Sequence, residues 1–225
     1  MKMKQSFVLL TAALCLAFTF NACKKSGGGD APTEKPGKIP GMGENTGTPN
    51  GEQFVLPTGI SVVGTIKGDD CDTVYQVGSG SLVEVCVAIF NSRQEDVTLV
   101  IPAGLVILAT DAQEYQHGIV IQETRIILKA NKLTRVSLDS YCINATKHAS
   151  RESAIYTLGP VSNSVLMREL INLLKNKKLE QSEYPDYGDY MDVNSDVQDL
   201  VWSVSDHDGL DRAALNAILA TIPNR

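Results

Sequence analysis

Three histidines and five cysteines are the residues of this chain best suited to nucleophilic, acid–base or metal chemistry. His117, His148 and His207 stand beside Gly, Ala and Asp in expected loops, and none is spaced from another His or a Cys as zinc ligands are. Val77-Gly78-Ser79-Gly80-Ser81 lacks the order of a nucleophile elbow and reads as a hairpin turn. No phosphate loop or dinucleotide fingerprint occurs. No metal, cofactor or catalytic centre is therefore expected. A Tyr-x-Asp triplet repeats three times, as Tyr184-Pro185-Asp186, Tyr187-Gly188-Asp189 and Tyr190-Met191-Asp192. Held extended at three residues per turn, it would set its rings along one edge and its carboxylates along another. Such a loop suits a glycan, making Tyr184, Asp186, Tyr187, Asp189, Tyr190 and Asp192 candidate ligand-binding residues. A calcium loop from Asp192 fails, because Val197 stands where the turn needs Gly and Ser203 where the last ligand should be Glu.

Cys71, Cys86 and Cys142 fall in the part expected to fold. In an oxidising compartment two could pair and leave one over. In a hairpin centred between Ser79 and Gly80, Cys71 faces residue 88 and Cys86 is its diagonal neighbour. Diagonal Cβ distances are roughly 7–8 Å, too long for a disulfide unless the register shifts. Pairing of either with Cys142 is equally open, as is a core holding three small thiols.

Tyr141-Cys142-Ile143 resembles the [YFL]-C-apolar motif of bacterial thioester-domain adhesins, and Val197-Gln198-Asp199-Leu200-Val201-Trp202 resembles their later Gln motifs. The resemblance implies a β-rich part followed by helices. It also implies an internal thioester, formed when the Cys142 thiol displaces ammonia from the Gln198 amide, that captures amines on a host surface. Such a bond needs a Cys and a Gln in contact and away from water. The chain departs from the family in having one Gln motif instead of two, with Val197 and Leu200 in place of Thr and Ala. Gln198 and Trp202, four apart, would in any case share a helix face.

The N-terminus reads as an address. Lys2 and Lys4 precede a largely apolar run of about 14 residues, too short to span a bilayer but suited to a signal-peptide core. Phe20-Asn21-Ala22-Cys23 resembles a lipobox, although Phe20 stands where Leu is usual. That resemblance implies cleavage after residue 22, diacylglycerol on Cys23 and attachment to a bilayer through acyl chains. Lys24, in place of the Asp of inner-membrane lipoproteins, points to the outer membrane of a bacterial envelope, with the membrane face left open. Residues 24–53 hold eight Gly and four Pro with only Ala31, Ile39 and Met42 apolar, so residues 23–53 read as a lipidated, flexible tether. The chain's net charge of −6 becomes −8 without the two signal lysines, which argues against nucleic acid as a partner.

The elements that must position these groups follow from periodicity. Short stretches rich in Val, Ile, Leu and Thr at 60–67, 73–77, 82–91, 97–102, 105–110, 119–123, 125–130 and 133–142 predict strands. Val83, Val85, Val87 and Ile89 alternate with Glu84 and Cys86, which marks a sheet face on a core. Their spacing predicts an Ig-like β-sandwich of about seven or eight strands over residues 54–145. Residues 146–225 read as a helical cap: one helix from Ser162 or Ser164 to about Lys177, a second from Asp196 to about Ser205, and a third capped by Asp211. The expectation for function is a tethered, non-catalytic module binding a protein or glycan at the envelope, with covalent amine capture through Cys142 and Gln198 as the alternative.

Overall fold

A computed structural model describes residues 34–69, 71 and 75–225. The first 33 residues lie outside it, and with them the signal peptide and Cys23. Along the chain come β1 (Gly51–Gln53), β2 (Ile60–Val62), β3 (Ile66–Lys67), β4 (Gln76–Gly78), β5 (Val83–Asn91) and β6 (Val97–Ile101). They are followed by β7 (Leu105–Ala109), β8 (Gly118–Ile119), β9 (Thr124–Leu128), β10 (Lys132–Cys142) and β11 (Ile155–Ser162). Three helices close the sequence: α1 (Val165–Leu174), α2 (Tyr187–Ser205) and α3 (Arg212–Thr221).

The sheet is a closed barrel, which corrects the expected Ig-like sandwich. β5 pairs with β3, β3 with β11, β11 with β7, β7 with β8, β8 with β10, and β10 returns to β5, every pair antiparallel. β1, β2 and β4 add to its edges, and β6 pairs with β9 in a separate two-stranded sheet. Closure depends on β11, which lies in the stretch expected to be helical. Gly159-Pro160 interrupts its alternation, and its register with β7 shifts between Leu158 and Val161. Proline cannot donate to a ladder and appears in strands chiefly at edges and bulges. Without β11 the strand pattern has no means of joining β3 to β7 and reads as two open sheets.

Side-chain alternation gives the barrel two cores. Val83, Val85, Val87 and Ile89 meet Leu105, Ile107, Val136, Leu138, Cys142 and Tyr156 in one cluster, with Leu99 and Ile126 of the small sheet packed on it. Val106, Ile119, Tyr141 and Ile143 point the other way and meet Leu170, Leu174, Val197, Leu200 and Val201 of the helices. Gly118 sits where β8 crosses β10, and an added Cβ would fall 2.1 Å from the Ser140 hydroxyl.

The compact unit Glu34–Arg225 takes in residues 34–53, where composition predicts a tether. The Glu34 carboxylate accepts from the Ser164 hydroxyl at 2.8 Å and the Leu166 N–H at 2.9 Å, at the start of α1. Ile39 and Met42 are buried with Tyr141, Ile143 and Val201. The Gly43 N–H donates to the Ile143 carbonyl at 2.7 Å. A Cβ on Gly43 would meet the Ser205 carbonyl at 2.5 Å, on backbone at φ +60°. Two anchoring side chains among many Gly and Pro suffice once a groove exists to receive them, which composition does not reveal.

Cys71 and Cys86 form a disulfide with Cα atoms 5.1 Å apart, and Cys142 is free. The hairpin that made this pairing look strained does not exist, since β4 runs parallel to β10 instead of pairing with β5. Lys67 of β3 pairs with Cys86, and Cys71, four residues on in sequence, bonds to the same Cys86.

Met42→Ala should lower stability by about 2–5 kcal/mol, as for a buried large-to-small change, measured by urea unfolding. A segment that only tethered would tolerate the change within about 0.5 kcal/mol.

Candidate functional site

β5 begins at Val83, opposite Ser140, so the ladder between the two strands stops two residues short of the last residue of β10. The Ile143 N–H donates to the His117 carbonyl on the β8 side. By the alternation of an antiparallel strand, the backbone groups of Cys142 therefore point to the side β5 has vacated. The side chain of Gln198 takes that place. Its Oε1 accepts from the Cys142 N–H at 2.9 Å, and its Nε2 donates to the Cys142 carbonyl at 2.8 Å. One amide thus satisfies both backbone groups of one residue, as a further strand residue would.

α2 carries Gln198 to this position because Val197, Leu200 and Val201 bury against the outer face of the barrel. Trp202 follows one turn later on the same face, and its indole N–H reaches the Cys142 sulfur at 3.4 Å. The Asn144 N–H donates to the same sulfur at 3.2 Å. Asn144 is itself fixed, its Oδ1 accepting from the His117 N–H at 3.0 Å and its Nδ2 donating to the Gly43 carbonyl at 2.7 Å. Cys142 is 0% exposed and Gln198 5%, while Trp202 is half-buried. Burial pushes the Cys142 thiol up to about 12, against the pull of the Asn144 and Trp202 donors. The sulfur thus rests protonated with two N–H groups already aimed at it.

The resemblance had singled out Cys142 and Gln198, and the fold brings together these two residues, 56 apart in sequence. The contact of Trp202 with sulfur was not foreseen, nor was the burial of His117. Burial, with a lesser contribution from Lys147, lowers His117 to about 4. It is neutral at physiological pH, its Nδ1 accepting from the Ala109 N–H at 3.0 Å, and serves structure.

The Tyr-x-Asp segment is not the extended loop expected. Asp186 is the N-cap of α2, accepting from the Gly188 N–H at 2.7 Å, and the next two triplets are helical. Asp186 therefore serves the helix start, as Asp and Asn commonly do. Tyr187 is 61% exposed, while Tyr190 is 5% exposed and stacks at 6.1 Å and 6.0 Å against Tyr184 and Tyr187. The Tyr184 hydroxyl donates to the Lys178 carbonyl at 2.6 Å. Asp189 and Asp192 line a separate surface hollow with Tyr184 and Lys178. The six residues thus form no single row of rings opposite carboxylates. Among the described residues no group of three His, Cys, Asp or Glu side chains could hold a metal ion. No protein-family profile, curated protein or solved structure matches the chain.

Gln198→Glu replaces the Nε2 donor with an oxygen facing the Cys142 carbonyl. A carboxyl there binds its proton more tightly folded than unfolded, because burial and the facing oxygen disfavour its charge. Relative to wild type, the variant should lose least stability below about pH 4 and most above the raised value, reaching about 3 kcal/mol. Urea midpoints at acidic and alkaline pH check the sign; a loss independent of pH would show that no charge is buried there.

Proposed function

We propose that this chain is an envelope-anchored adhesin whose Cys142 and Gln198 form an internal thioester that captures primary amines covalently. The observation that carries the reading is the double hydrogen bond holding the Gln198 amide on the backbone of Cys142, inside a site from which water is excluded. In formation, the sulfur attacks the amide carbon, the C–N bond breaks and ammonia leaves with the thiol proton. The Cys142 N–H already points at Oε1, where negative charge develops, as in an oxyanion hole. An amine then attacks the same carbon, forms an amide and restores the thiol. This is one covalent event per molecule, without turnover.

Anchoring belongs to the same reading. Asn21-Ala22-Cys23 supplies the acylation site, Lys24 favours the outer membrane, and the Cys71–Cys86 disulfide suits an oxidising compartment. A negative body does not favour nucleic acid or anionic lipid, and the thioester chemistry calls for a partner that carries a primary amine. The non-catalytic glycan-binding alternative is weaker, since Asp186 is engaged in capping and Tyr190 is buried.

The purified protein should be lighter than its sequence by one ammonia, and methylamine should add its own mass to that lighter species, leaving a product one CH₂ heavier than the sequence. Gln198→Ala and Cys142→Ala should show neither change. With the thiol at about 12, only about one molecule in 10⁵ carries a thiolate at pH 7. Formation should therefore quicken about tenfold per pH unit between pH 7 and 9. An unmodified wild-type mass across that range would leave Gln198 a purely structural cap of β10.

A further inference from the structure

Opening the thioester with an amine has a cost that its formation conceals. The amine nitrogen bonds to the Gln198 carbon, the carbon–sulfur bond breaks, and its electron pair goes to the Cys142 sulfur. The surplus proton of the amine ends on that sulfur. Until it arrives, a thiolate sits in an interior cluster with Val85, Leu138 and Tyr156. An isolated charge in such surroundings is strongly disfavoured unless donors meet it.

Two donors do meet it. The Trp202 indole N–H lies 3.4 Å from the sulfur and the Asn144 N–H 3.2 Å. Gln198 and Trp202 sit one turn apart on α2, so a single helix supplies both the acyl carbon and a donor for the leaving group. Asn144 cannot turn away, being held by the His117 N–H and the Gly43 carbonyl. An N–H bond to a thioester sulfur is weak, whereas one to a thiolate is charge-assisted. The contacts therefore strengthen as the bond breaks, which is the condition for accelerating a step.

We propose that Trp202 is a catalytic residue of amine capture, its indole N–H and the Asn144 backbone N–H together carrying the negative charge of the Cys142 sulfur as a primary amine displaces it. The role rests on the thioester reading above. It also gives the half-buried indole two duties, donor to the sulfur and cover over it, of which only the first needs the N–H.

The test uses the complete purified protein and methylamine, following the gain in intact mass of the thioester-bearing fraction. Trp202→Phe removes the N–H, and replacement of Trp202 by benzothienylalanine removes it while keeping the bicyclic shape. Both should slow capture roughly 10- to 100-fold, the range for one lost hydrogen bond to a charged group. The benzothienyl protein should keep the wild-type melting temperature. If Trp202→Phe fails to fold, the isostere decides alone. Wild-type rates in the isostere overturn the role of Trp202 while leaving the thioester intact. A wild-type protein that never loses ammonia overturns the thioester, and the role with it.

Discussion

The amide of Gln198 stands where a strand should continue. β10 outruns β5, and the N–H and carbonyl of Cys142 would otherwise be buried without partners, at a cost of about 1–3 kcal/mol for each such group. A side chain from α2 satisfies both, so the position of the helical layer is written into the hydrogen-bond ladder of the barrel. Val197, Leu200 and Val201 then have their register against Tyr141 and Ile143 fixed. The same pair of bonds holds the Gln198 amide on the backbone of the residue that carries the free thiol.

What the sequence made legible follows from the range over which each signal acts. The alternation in β5 and the Leu, Thr and Val content of β10 are local, and both strands fall where the pattern put them. So do the caps of α1 at Ser164 and α3 at Asp211. β3 and β8 are two residues each: the predicted stretch 60–67 runs β2 and β3 together and 119–123 meets β8 only at Ile119, so neither stands out as a separate member of the ring. β11 is masked by Gly159-Pro160, and the first turns of α2 by Gly188 and a run of Tyr and Asp without an apolar stripe. Missing those pieces turned a barrel into a sandwich and a helix start into a binding loop.

The site was legible in part. Motif resemblance pointed to Cys142 and Gln198, although nothing local in 56 residues of separation requires them to touch. Of the donors around the sulfur, Trp202 stood in the quoted motif and on the Gln198 face without a role, and Asn144 was not legible. Asn144 acts through its backbone, which has no sequence signature. Its own anchor, the Gly43 carbonyl, lies in a stretch whose Gly and Pro content reads as unstructured.

The alternation of β5 and β10 has a further effect on the three sulfurs. Cys86 is opposite Ser137 in the ladder, and Cys142 is an odd number of residues beyond it, so the two cysteines lie on opposite faces of the sheet. Thiol–disulfide exchange requires a thiolate to reach a disulfide sulfur. In the closed barrel the wall itself stands between Cys142 and the Cys71–Cys86 bond, and the thiol is held almost wholly protonated. An odd cysteine beside a disulfide is ordinarily a hazard because it invites scrambled isomers. Here the pleat insulates it, with Cys142 on one face of the sheet and Cys86 on the other.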